Sequence, residues 1–128
     1  MRYDATIAIM DDQPDSQGEI LSGDAMLPHS AVLVRMDTYR DKAVGMAWTY
    51  MENNMIKASI TLHDSWLPPQ VAEHCHAVVR GQVLERDGHV IKKWRLSEVL
   101  LTIYPADKRL PKLKRCKESL PVQGDFER

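Results

Sequence analysis

Cysteine and aromatic residues are scarce in this chain, the net charge is almost nil, and no long apolar run occurs. Each shortage excludes something. Cys75 and Cys116 are the only thiols, they form no CxxC pair, and a four-cysteine zinc site is ruled out by count. Two separated thiols read as free cysteines of a reducing compartment. A chain of 128 residues should bury about two-thirds of its unfolded surface, so it needs no disulfide staple. A formal net charge of -1 argues against a generally basic nucleic-acid binder. No stretch approaches the roughly 20 apolar residues of a membrane helix. The opening Met1-Arg2-Tyr3-Asp4 lacks the charged-then-apolar order of a signal peptide. Hydrophobic residues at 44% and charged ones at 27% are the balance of a folded domain rather than a disordered chain. One domain over residues 1–128 is expected, with no cofactor, no metal and no membrane partner.

The charge that is present is unevenly spread. Asp4, Asp11, Asp12, Asp15, Glu19 and Asp24 face a single early base, Arg2, whereas Lys108, Arg109, Lys112, Lys114, Arg115 and Lys117 crowd the other end. Residues 11–24 read as an acidic loop and 106–128 as an extended basic tail. Either both are solvated, or they dock on a partner or on another copy through complementary fields. The basic tail lacks the interleaved aromatics of a nucleic-acid groove.

Ala5 to Met10 and Ala31 to Arg35 are short apolar runs, each expected to be a strand. Val44 to Met51, then Glu52-Asn53-Asn54, then Met55 to Leu62 read as a hairpin. In its second arm Ile56, Ala58, Ile60 and Leu62 alternate with polar residues, and asparagine tolerates the positive φ of a tight turn. Pro68-Pro69 would open a helix to about Arg80, with Val71, Cys75, Val78 and Val79 as its apolar stripe and Gly81 as its stop. Asp87-Gly88 marks a second tight turn. Strand residues follow from His89 to Tyr104, and Pro105 closes them. The fold class expected is α+β, a small β-rich and barrel-like domain with one main helix.

Reactive side chains are present without a recognisable arrangement. His74 and His76, two apart on the expected helix, would point to different sides and could not share an ion. Cys75 belongs to the apolar stripe, where a buried thiol is inert. Ser59, Ser65 and Ser97 lie in no nucleophile motif. Trp48, Trp66 and Trp94 read as core or interface anchors, and Met36, Met46, Met51 and Met55 as packing residues.

Three stretches together carry a resemblance. They are Asp11-Asp12-Gln13-Pro14-Asp15-Ser16-Gln17-Gly18-Glu19-Ile20, Ala43-Val44-Gly45-Met46-Ala47 with the hairpin through Leu62, and Leu96-Ser97-Glu98-Val99-Leu100-Leu101-Thr102-Ile103-Tyr104-Pro105-Ala106. In order and separation they resemble segments of the prohead (capsid maturation) serine proteases of tailed bacteriophages, whose fold is herpesvirus-assemblin-like. That resemblance spans residues 5 to 115 and implies a phage-head context. It also implies a catalytic histidine where this chain reads Val32-Leu33-Val34-Arg35-Met36-Asp37. The implied serine falls on Val78 or Asp87, depending on register. Glu98 alone matches a family acid, and an acid without base and nucleophile cannot perform acyl transfer.

The resulting expectation is a non-catalytic structural protein of the virion, either a decoration (cement) protein or a head-assembly protein. Its partners would be the major capsid protein and further copies on the capsid lattice. The guessed contacts are Trp66, Leu67, Lys108, Arg109, Leu110, Lys112, Lys114 and Arg115. The first alternative is an active maturation protease using Ser59, Ser65 or Ser97 with His63, His74 or His76. The second is a cytosolic binding domain unrelated to phage.

Overall fold

The computed structural model describes residues 1–38, 42–63 and 67–116. Eight strands and one helical turn follow in order: β1 (Arg2–Ile9), β2 (Ile20–Met26), β3 (Val32–Met36), β4 (Ala43–Glu52), β5 (Met55–Leu62), α1 (Pro69–Ala72), β6 (His76–Asp87), β7 (Val90–Thr102) and β8 (Lys114–Arg115). All strands belong to one sheet. No helix among the described residues is long and apolar enough to cross a membrane.

The β4–β5 hairpin forms as its alternation predicts, running from Gly45↔Leu62 to Glu52↔Met55. Asn53 turns it at φ 57°, a left-handed conformation that asparagine accepts more readily than most residues. β1 adds antiparallel to the free edge of β5, and β3 pairs antiparallel with β4. β7 organises the other half. One of its edges pairs with β6 through a turn at Gly88, where φ is 60°. Its other edge takes β2 and then β3 end to end, both in parallel. The sheet path is open, with β6 at one limit and β8 at the other. An isolated bridge from Lys112 to His76, with Leu113 N–H donating to Cys75 C=O at 2.9 Å, ties the C-terminal segment to the start of β6.

The core is the inward row of these strands: Tyr3 and Ile7, Val32 and Val34, Ile56, Ala58 and Ile60, and Val99 and Leu101, with Trp94 and Leu96. Outward positions on β5 carry polar partners, as alternation requires, whereas on β3 and β4 they include Leu33, Met46, Trp48 and Tyr50.

Three expectations are corrected. The helix expected over 69–80 is one turn, and from His76 the chain is strand. Val78 and Val79 are β-branched and suit a pleat, and pairing with Leu100 and Val99 of β7 outweighs a helical stripe of only four apolar residues. The α+β assignment therefore shrinks to a mostly β fold. The acidic loop expected over 11–24 ends earlier, because Ile20–Met26 is β2. Its partner is β7, about seventy residues away in sequence, and such a pairing leaves no local signal.

The third correction concerns the described part of the basic tail, residues 106–116, which docks on its own domain. Leu110 and Leu113 are 4% and 5% exposed, so both serve this chain's core rather than a partner. Ser16 N–H donates to Ala106 C=O at 2.8 Å, and Arg109 contacts Asp11 at 2.7 Å. The acidic and basic ends thus meet within one molecule.

Candidate functional site: an apolar cleft beside β6

A cleft of about 380 Å³ opens between β1, the 11–19 loop, β6, β7 and the segment 104–110. That volume lies in the range of small-ligand pockets. Its apolar wall includes Ile7, Ile9, Leu21, Val79, Val83, Ile91 and Trp94. Asp15, Glu19, Asp37 and Asp107 also line it, and no Lys, Arg or His does. Two of these acids have counter-ions just outside the wall: Arg86 contacts Glu19 at 2.8 Å, and Arg109 contacts Asp107 at 2.9 Å. Asp15 accepts from the N–H groups of Gln17 and Glu19 at 2.8 and 2.9 Å, which folds the loop into a rim.

Arg109 lies between two carboxylates. Its guanidinium, hydrogen-bonded to Asp107 and to Asp11, holds both acids below the usual carboxylate range, and their contact raises its own pKa. This cluster fastens the tail beside the cleft.

The side chains singled out as catalytic alternatives are dispersed. Ser97 Oγ donates to Arg80 C=O at 2.9 Å. His76 Nδ1 donates to Leu110 C=O at 2.8 Å. Ser59 sits mid-strand between Trp48 and Asp4, and His63 and His74 are exposed. His74 lies in the turn after α1 and His76 in β6, so the helical argument that separates them does not apply. No group of three or more metal-ligating side chains occurs among the described residues. Cys75 is buried against α1, and burial pushes its thiol pKa up. Glu98 accepts from Arg35 at 3.0 Å and from Arg80 at 2.8 Å, which makes it a tie between β3, β7 and β6. Of the stretch Val32 to Asp37, where the resemblance implies the histidine, Asp37 lines the cleft; of the two registers for the serine, Val78 lines it and Asp87 does not. The lining as a whole contains no serine, cysteine or histidine among the described residues.

Comparison with family models, with curated proteins and with solved structures found no match.

Of the guessed partner contacts, Trp66 lies outside the described residues, as does Ser65. Leu67 is 6% exposed and belongs to the core. Lys108, Lys112, Lys114 and Arg115 are exposed, although Arg115 reaches Glu73 at 3.9 Å.

A second surface lies on the outward face of β4, where Met46, Trp48 and Tyr50 stand in one row beside Leu33 of β3. Trp48 is 59% exposed, whereas Trp94 is buried. The signal for this was present: Gly45 and Ala47 are small and buried, while the large side chains of Met46, Trp48 and Tyr50 occupy the opposite register.

Proposed function

We propose that this chain is a non-catalytic, protease-like structural protein of a phage head, acting as a decoration or head-assembly protein on the major capsid protein in the virion. The observation that carries the reading is the cleft. Neither the stretch from Val32 to Asp37 nor Val78 or Asp87, where the resemblance places base and nucleophile, supplies a histidine or a serine, and the cleft wall has no hydroxyl–imidazole pair among the described residues. Without a base and a nucleophile most of the rate enhancement of acyl transfer is lost. The C-terminal segment supports the barrel-like part of the reading, since residues 112–115 lie between β1 and the start of β6. The outward row of Met46, Trp48 and Tyr50 offers the aromatic and methionine anchors that interfaces favour.

Co-expression with the cognate major capsid protein tests the reading. The chain should co-sediment with shells, and the capsid protein should keep its full length. A shortened capsid protein would restore the protease, and shells without the chain would remove the capsid role. A fluorophosphonate probe should leave the folded chain unlabelled. Labelling of one serine, lost on unfolding, would contradict the proposal.

A further inference from the structure

Ile7, Ala8 and Ile9 of β1 line the cleft consecutively, and Val78, Val79, Gly81 and Val83 line it from β6. On β1 the bulge between Thr6 and Ala8 accounts for Ile7 and Ala8 both being buried in that wall; on β6 it is the pairing that leaves an edge free. β6 is laddered to β7 along its length, and its other edge meets only the bridge from His76 to Lys112 among the described residues. β1 pairs with β5 throughout, but with β8 only at Tyr3 and Asp4. All residues from Arg80 to Asp87 are exposed. An open edge of this kind is a template for another strand. The ladder of β6 shifts register at Arg80/Gly81 and twice more beyond Val83, so the edge from Val78 to Val83 carries one irregularity and the far end two.

We infer that this edge of β6 accepts an extended segment of a partner protein as an added strand, one that alternates apolar residues with lysine or arginine. Main-chain hydrogen bonds would hold such a segment, and pockets for alternate side chains would select it. Apolar side chains would enter the cleft against Ile9, Leu21 and Ile91, while basic ones would meet the acidic rim. Trp94, 3% exposed, backs the cleft with the Cε3–Cζ3 side of its ring against Gly81 of β6. The inference rests on the non-catalytic reading, because a cleft with a working nucleophile would cut what it holds.

The test is amide hydrogen exchange of the full chain with an acetylated, amidated peptide of four Lys-Val repeats. Two controls accompany it: a Glu-Val peptide, and a Lys-Val peptide N-methylated at alternate amides. The Lys-Val peptide should protect Val78 to Val83, and N-methylation should weaken binding about tenfold or more. The Asp15→Asn/Glu19→Gln double variant keeps the shape of the rim, and it should weaken binding roughly three- to tenfold. Its exchange in the β4–β5 hairpin should match that of the parent chain. Absence of protection in β6 would overturn the inference, as would equal binding of the N-methylated peptide. So would protection that rises with protein concentration alone, since a second copy would then be the occupant. Failure here with intact co-sedimentation removes strand addition alone. Strand addition without co-sedimentation removes the phage-head reading alone.

Discussion

Glu98 holds Arg35 and Arg80 from a side chain that is 14% exposed, so one carboxylate cross-links three adjacent strands. Glu98→Gln keeps the shape and removes the charge. It should cost about 1–2 kcal/mol, between the values for an exposed pair and a buried one, read as a lower urea midpoint. Association with shells should be unchanged. Lost association at unchanged stability would give the carboxylate a functional part instead. Cys75 is 1% exposed, and its raised pKa lowers the thiolate fraction available for reaction. Its modification by a disulfide reagent at pH 8 should therefore keep pace with global unfolding measured in the same urea series. Modification faster than unfolding would mean that α1 opens by itself.

At the level of the elements, legibility followed distance along the chain. The β4–β5 hairpin and the turn at Gly88 were readable because their determinants, Asn53 and the Asp87-Gly88 pair, sit beside the strands they join. The segment 69–80 was not. Val71, Cys75, Val78 and Val79 fit a helical stripe, yet three of the four are β-branched, and a partner outside the window decided the matter. β2 was hidden for a similar reason, since Ser22, Gly23 and Asp24 interrupt its apolar ends and the strand declares itself only when β7 arrives beside it. The cleft was legible only in pieces: its acids were noted as a loop, and its apolar wall as core. Gly81 belongs to this level too. A Cβ there would lie 2.5 Å from Arg95 O and 2.8 Å from the Trp94 ring, so Gly81→Ala should destabilise the β6–β7 ladder by about 1–3 kcal/mol. Thermal unfolding measures that loss. An unchanged midpoint would mean that β6 can move away from β7 at no cost.

Across the whole molecule, the segment after Ala106 acts as a clasp. Truncation there removes buried Leu110 and Leu113, a loss of roughly 3–6 kcal/mol at about 1.5–3 kcal/mol for each leucine. Against a typical total of about 5–15 kcal/mol, the truncated chain should be close to unfolding. A stable truncated chain would show that the segment only rests on the surface. The clasp should also respond to acid. Asp11 and Asp107 have depressed folded pKa values, so their stabilisation is complete above the unfolded value of about 3.9. It is lost as pH falls through the lower folded values. Amides of residues 106–116 should accordingly lose exchange protection below about pH 4, before those of the β4–β5 hairpin do. Simultaneous loss would place the acid-sensitive contacts elsewhere. The position of β7 bears, finally, on timing. β2 and β3 both rest on a strand that is made only after residue 89. At about 5–20 residues per second on a ribosome, they wait several seconds for it. During that interval the β4–β5 hairpin can form and take β1 and β3 on its two edges, but β2 has no partner and β3 keeps one edge bare. A nascent chain of this protein therefore offers that bare edge to chaperones and proteases until β7 has been synthesised.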